Sequence, residues 1–433
     1  MNKEKIIKNF TSKASKIAII GMGYVGLPLS LRFSECGYKV LGIDIDESKV
    51  DLINNGESYI AHIPSTKIKD SNTKGFEASS DFSKISECDG IILCVPTPLT
   101  QHREPDISYV VSSIKLILPH LRKGQVISLE STTYPGTCEE EIAPRLESTG
   151  MNLGDDIFLV YSPEREDPGN KNFNVNSIPK IIGGHTENCL SVGMALYSSA
   201  IESLIEVKST KVAEMTKLLE NIHRAVNIGF INEMKVIANK MDIDIFDVVN
   251  AAESKPFGFT AYFPGPGIGG HCIPIDPFYL TWKAKEFGLN TRFIELAGEI
   301  NTSMPEYVCE KSAHALNSFS KSIKNSKILI LGVAYKKHVD DVRESPSLEV
   351  INILTKKGAN ISFSDPYINS LKKNSNIKNF ESIDLSEASI SSFDLVVLLT
   401  DHDDFDYDLI LTNSKVIVDS RGRFQKSAKV IRA

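Results

Sequence analysis

The sequence predicts an α/β protein: two parallel-sheet domains joined by a central helical region that holds one long helix. Three observations predict it. The first half alternates short apolar runs with helical patterns, which is the signature of a parallel sheet covered on both faces. From Lys208 to Asn239 there is no proline, and apolar residues recur at three- and four-residue steps. After the polar stretch Ser318 to Ser326, β-type apolar runs begin again.

The elements follow in order. Lys16-Ile17-Ala18-Ile19-Ile20 is a buried strand by its β-branched run. Lys39 to Ile43, Gly90 to Val95, Val126 to Leu129 and Ile157 to Tyr161 read the same way. Val212, Met215, Leu218, Leu219, Ile222, Ala225 and Val226 mark one long helix, broken in composition only by Gly229. Helices are expected at Ile243 to Ala252 and around Thr291 to Lys311, with the Gly/Pro-rich segment Phe263 to Pro277 between them. Lys327 to Gly332, Asn360 to Ser364, Asp394 to Thr400 and Lys415 to Asp419 supply the second sheet.

Composition narrows the function. The chain has 433 residues, and a net charge of -7 argues against nucleic acid as a partner. The seven cysteines are scattered and odd in number, which fits reduced thiols in the cytoplasm. The Lys-rich start has no apolar core like a signal peptide's, and no run approaches the ~20 apolar residues that span a bilayer. A soluble cytoplasmic protein without membrane insertion is expected.

Gly21-Met22-Gly23-Tyr24-Val25-Gly26 follows a strand and opens a helix. Glycines at Gly21, Gly23 and Gly26 allow a tight turn and let backbone amides approach a pyrophosphate. Asp44 ends the second strand about 20 residues on, where a carboxylate accepts from a ribose hydroxyl and disfavours a 2′-phosphate. NAD is therefore the expected cofactor, with Asp46 as the alternative acid and an empty tight turn as the bland alternative.

Cys272 lies in a glycine-dense loop, Gly265-Pro266-Gly267-Ile268-Gly269-Gly270-His271-Cys272. It is either a nucleophile or an inert thiol. His271 is a base or a packed loop histidine. Lys217 and Asn221 share a helix face, which is either solvated or turned into a cleft. Asp401-His402-Asp403-Asp404 reads as a solvated turn, because adjacent residues converge poorly on one ion, and no metal is expected. Lys336 and Lys337 with Arg343 form a solvated face or a phosphate site.

Taken together these motifs resemble the UDP-glucose/GDP-mannose dehydrogenase family from about Lys16 to Arg423. The landmarks stand in order: Gly21 to Pro28, Val95-Pro96-Thr97-Pro98, Glu130-Ser131-Thr132, Ser162-Pro163-Glu164-Arg165, Lys217 with Asn221, the Cys272 loop, Tyr335-Lys336-Lys337 to Arg343-Glu344-Ser345, and Asp419-Ser420-Arg421. The resemblance implies an NAD-binding Rossmann domain over residues 1–207, a central helical region over 208–317 that forms a homodimer and carries the cysteine loop, and a Rossmann-like UDP-sugar domain over 318–433, with the active site in the cleft between domains. It further implies that Gly21, Gly23, Gly26 and Asp44 hold the adenosine half of NAD, with Thr97 and Thr132 on the nicotinamide side and Arg343 reaching NAD from the second domain. Cys272 becomes the nucleophile, Lys217 and Asn221 face the reacting C6, and Asp276 with Thr132 position water. Glu164, Phe263, Gly265, Gly267, Gly269, Lys336 and Arg421 contact the UDP-sugar.

The implied reaction oxidises a C6 alcohol to a carboxylate through a cysteine thioester, with loss of four electrons. The loop from Gly265 to Pro277 resembles the N-acetylhexosamine branch. The UDP-glucose branch tends to have Phe-Gly-Gly-Ser-Cys in place of Ile268 to Cys272, and this chain also departs from that branch after Glu164, where Arg165-Glu166-Asp167-Pro168-Gly169 follows. UDP-N-acetylglucosamine oxidation for surface polysaccharide biosynthesis is the expectation. UDP-N-acetylmannosamine and UDP-glucose stand as alternative substrates. A two-electron dehydrogenase and a non-catalytic NAD-binding protein are the rival readings.

Overall fold

The first sheet is built from the β-branched runs, and its order follows from the helices that join them. A computed structural model describes residues 3–60, 63–100, 102–165, 176–270, 273–371 and 380–433. The chain forms two compact units: residues up to Glu220 with Phe278–Leu289, and Asn221–Pro277 with Asn290–Ala433.

In the first unit β1 (Lys16–Ile20), β2 (Lys39–Ile43), β3 (Phe76–Ser79), β4 (Gly90–Leu93), β5 (Val126–Leu129), β6 (Phe158–Tyr161), β7 (Lys180–Gly184) and β8 (Leu204–Val207) form one sheet. Its order is β3-β2-β1-β4-β5-β6-β7-β8. The chain reverses direction across the sheet between β1 and β4, the kind of switch point where ligands bind beyond the strand carboxyl ends. Alternation decides the two faces. Ile17 and Ile19 pack with Phe33, Tyr38 and Tyr197, while Ala18 and Ile20 pack with Val110, Ile114 and Leu159.

The pairing of β6 with β7 is antiparallel, a departure from the all-parallel expectation. Antiparallel neighbours need no helical crossover, so no strand–helix alternation signals them. The polar N-terminus is also more than a tail. Lys3–Thr11 is a helix with Ile6 and Phe10 buried, and Tyr38 donates its hydroxyl to the Phe10 carbonyl at 2.8 Å.

The expected long helix spans Thr210–Lys240. Helices Ile245–Glu253 and Arg292–Asn317 follow. In the second unit β9 (Lys327–Leu331), β10 (Asn360–Ser364), β13 (Leu395–Leu398), β14 (Ile417–Asp419) and β15 (Val430–Arg432) form a parallel sheet in the order β10-β9-β13-β14-β15, beside a separate pair made by β11 (Ser370–Leu371) and β12 (Phe380–Glu381). Ile328 and Ile330 face one apolar layer and Leu329 and Leu331 the other. No helix among the described residues is long and apolar enough to cross a membrane.

Candidate active site

The first unit gathers its candidate residues at the carboxyl ends of β1, β2, β4, β5 and β6. Gly21 has φ +94°, and a Cβ there would stand 2.7 Å from the Cys94 carbonyl oxygen. A Cβ on Gly26 would lie 1.9 Å from the Gly21 carbonyl oxygen, so only glycine lets the turn close on the helix Gly26–Glu35. A Cβ on Gly23 would meet nothing within 4 Å among the described residues. The turn is thus shut on the protein side and open at its middle glycine, and it feeds a helix N-terminus, which suits a pyrophosphate.

Asp44 is buried, with Oδ2 accepting from the Met22 amide at 2.8 Å and Oδ1 from the Asp46 amide at 3.0 Å. Asp46 accepts instead from Ser48 at the start of the helix Glu47–Asn54. The carboxylate tied to the glycine turn is therefore Asp44. These residues fit the adenosine half of NAD.

Thr97 and Thr132 follow β4 and β5. The Tyr279 hydroxyl donates to the Thr97 carbonyl at 3.0 Å, and Ser131 Oγ donates to the Val95 carbonyl at 2.7 Å, which ties the two loops down. Beneath them lies a buried polar group that sequence reasoning missed. Lys180 Nζ donates to Glu130 Oε2 at 2.6 Å, the Tyr197 hydroxyl donates to Glu130 Oε1 at 2.7 Å, and Lys180 reaches the Pro163 carbonyl at 3.5 Å. One ammonium thus holds the segments that carry Thr132 and Glu164. Glu214 was missed as well. It accepts from the Gly136 and Cys138 amides at 2.6 and 2.9 Å, and burial pushes its carboxyl up to about 7. Lys217, one turn further along the helix, is only 7% exposed, so the solvated-face alternative does not apply to it.

In the second unit Asn221 donates from Nδ2 to Asp276 Oδ2 at 2.5 Å, and Asp276 is buried at the start of the helix Asp276–Glu286. Cys272 and His271 lie outside the described residues. The rest of their loop is placed. A Cβ on Gly269 would stand 2.7 Å from the Tyr335 Cβ and 3.0 Å from the Glu344 carbonyl oxygen, so absence of side chains lets the loop lie against the Tyr335–Pro346 segment. A Cβ on Gly265 would stand 2.7 Å from Arg421 Nη1, and Gly267 approaches Pro346. Phe263 stays exposed. Lys336 lies over the Tyr335 ring, and Arg343 pairs with Asp341 at 2.7 Å. Gly265, Gly267, Gly269, Lys336 and Arg421 are thereby brought into one region.

Gly265 has a second set of partners that sequence reasoning missed. Its amide donates to Asn232 Oδ1 at 3.0 Å, and its carbonyl accepts from Lys235 Nζ at 2.8 Å. Asn232 is itself oriented by Asn301 at 2.9 Å. A signal existed: Lys235 falls in line with Ile231 and Ala238 on the buried stripe of the long helix, where a lysine is out of place. The acidic turn needs a correction. Asp403 and Asp404 are exposed as expected, but His402 is fully buried because its Nε2 pairs with Asp365 Oδ2 at 3.2 Å while its Nδ1 accepts from the His338 amide.

A glycine turn after β1 with Asp44 beside it defines a dinucleotide-binding protein, and in the second unit a glycine loop lies against Lys235 and Arg421. Three family models match in order: the NAD binding domain of the UDP-glucose/GDP-mannose dehydrogenase family over residues 15–201, its central domain over 211–303 and its UDP binding domain over 329–426. The chain belongs to that family and is an NAD-dependent nucleotide-sugar dehydrogenase. It is 32% identical to the UDP-N-acetyl-D-glucosamine 6-dehydrogenase of Salmonella typhi over 90% of each chain. It is 34% identical to the UDP-N-acetyl-D-mannosamine dehydrogenase of Methanococcus maripaludis, over 90% of this chain and 87% of that one. Among solved structures, a UDP-D-ManNAc dehydrogenase from Pyrococcus horikoshii superposes with a TM-score of 0.87 at 29% identity, covering 96% of this chain and 98% of the other.

Proposed function

We propose that the chain oxidises the C6 hydroxyl of a UDP-N-acetylhexosamine, UDP-N-acetylglucosamine foremost, to the uronic acid with loss of four electrons, in the cytoplasm and for surface polysaccharide synthesis. The observation that carries this reading is the glycine loop. Its sequence resembles that of the N-acetylhexosamine branch, and its glycines stand against Arg421 and the Tyr335–Pro346 segment. UDP-N-acetylmannosamine is the second reading, supported by the likeness to the Methanococcus enzyme.

NAD would supply the hydride acceptor for each oxidation, held by the Gly21–Gly26 turn and Asp44, with Thr97 and Thr132 on its nicotinamide side and Arg343 reaching it from the second domain. The protein does the rest. Lys217 and Asn221 hydrogen-bond the C6 oxygen as negative charge builds on it, an interaction typically worth about 3 kcal/mol per donor. The Cys272 thiolate adds to the aldehyde, so the same carbon is retained as a thiohemiacetal for its second oxidation. Water then opens the thioester, placed by Asp276 and Thr132, which frees the acid and the thiolate. Glu164, Phe263, Gly265, Gly267, Gly269, Lys336 and Arg421 bind the UDP-sugar. Cysteine suits this role because its thiolate is accessible near neutral pH.

The assembly is a homodimer formed through the central helices of a three-part chain, divided near residues 207 and 317. Large apolar side chains left exposed on those helices support it: Leu219, Phe230 and Ile237 on the long helix and Phe293 and Leu296 on Arg292–Asn317.

Steady-state rates with UDP-N-acetylglucosamine, UDP-N-acetylmannosamine, UDP-N-acetylgalactosamine and UDP-glucose test the substrate assignment. UDP-N-acetylglucosamine is expected to give the highest kcat/KM. A clear preference for UDP-glucose would overturn the N-acetylhexosamine reading.

A further inference from the structure

Two cations meet at one glycine. Lys235 Nζ donates to the Gly265 carbonyl at 2.8 Å, and Arg421 Nη1 would lie 2.7 Å from a Cβ on the same residue. Lys235 is 3% exposed, and among the described residues no carboxylate pairs with it. The charged or titratable groups that face it are Arg421, from the turn after β14, and Lys311 and Tyr307, from the helix Arg292–Asn317. Arg421 does have neighbouring acids in Asp401 and Asp419. Among the described residues Lys235 has none, and its ring neighbour Tyr307 is 5.2 Å away.

An ammonium in such surroundings lacks both water and a counter-ion, which favours the neutral amine. Burial and the two nearby cations accordingly bring Lys235 down to about 7. A neutral amine still donates to the Gly265 carbonyl, so the loop is held in either protonation state. What changes is the charge behind the loop. A diphosphate arriving on the Arg421 side brings two negative charges toward the amine and favours its protonated form.

The geometry points to Lys235 as a proton-coupled positioning residue of the substrate site: it holds Gly265 from behind and takes up a proton from solvent when the dianionic nucleotide sugar docks beside Arg421. This rests on the assignment of the Phe263–Gly269 loop and Arg421 to UDP-sugar binding. The step is balanced by one proton drawn from the buffer, and no bond in the sugar changes. The affinity for UDP-sugar therefore falls as pH rises above neutrality, several-fold between pH 7 and 8.5.

Isothermal titration calorimetry with UDP-N-acetylglucosamine in the absence of NAD tests it, because the diester diphosphate has no titration of its own near neutrality. At pH 8, in buffers of different ionisation enthalpy, the wild type is expected to take up roughly 0.5 to 0.9 proton per sugar bound, as a lysine of pKa about 7 allows. Lys235→Met keeps the aliphatic stem and Lys235→Arg keeps a permanent charge; both are expected to bind without that uptake and to lose the pH dependence. Equal uptake in the wild type and in either variant would overturn the proposal while leaving the substrate assignment intact. No binding of any UDP-sugar by the wild type would overturn both.

Discussion

Asn221 on the long helix and Asp276, 55 residues later, are joined side chain to side chain at 2.5 Å. Each therefore orients the other, and neither is free to turn without breaking the pair. Asp276→Ala and Asn221→Ala are each expected to lower kcat by about 10²- to 10³-fold, the range for loss of one preorganised polar group, with little change in the KM for sugar. The double variant should fall well short of the product of the two losses, because the residues act as a unit. Initial rates of NADH formation at saturating NAD check all three.

Asp44 anchors the glycine turn through the Met22 amide and stands where a ribose hydroxyl would donate. Asp44→Ala is expected to raise the KM for NAD about tenfold or more, the effect of losing a charged acceptor. The affinity for UDP-sugar, measured by calorimetry without NAD, should stay within twofold. A parallel loss of sugar affinity would contradict the separate roles given to the two ligand sites.

Lys180 and Glu130 form a buried pair with side-chain exposures of 7% and 0%. Removing one partner leaves the other charge buried and uncompensated, which costs about 3–5 kcal/mol. Lys180→Met is expected to lower the thermal midpoint of the first unit by several degrees. The substitution also frees the segments carrying Thr132 and Glu164, so surviving enzyme should show a raised KM for sugar as well as a lower kcat.

Glu214 makes the stability of the first unit depend on pH. Its folded pKa of about 7 lies above the ordinary 4.5, so the folded state binds more protons than the unfolded state between those values. Its contribution to stability is fully present below pH 4.5 and is lost as pH rises through 7. The difference amounts to about 3 kcal/mol. Glu214→Gln does not titrate. The thermal midpoint of the wild type relative to this variant should therefore be higher at pH 5 than at pH 8, by a few degrees.

Much of the fold was legible because it rests on local pattern. The β-branched runs at Lys16–Ile20 and Lys39–Ile43 mark strand bounds directly, and the proline-free periodicity before Lys240 marks the long helix. Two of the strands that escaped notice lack that pattern. Leu204–Val207 has no fully buried residue, and Lys180–Gly184 ends in two glycines and pairs antiparallel with β6. The candidate residues of the site were legible as motifs, whereas their supports were not. A lysine at 180 looks like any surface lysine until the fold brings Glu130 to it, whereas Lys235 is marked only by its place in line with Ile231 and Ala238, and its partner Gly265 comes with the fold. Likewise His402 reads as part of an acidic surface turn, and only Asp365, on the adjoining strand region, makes it a buried residue.

The most direct test is the number of NADH molecules formed per UDP-N-acetylglucosamine consumed, with the product weighed by mass spectrometry. Two NADH and a carboxylate at C6 are expected, and for Cys272→Ser a loss of the second oxidation. One NADH per sugar with an aldehyde product, unchanged by Cys272→Ser, would contradict the four-electron oxidation.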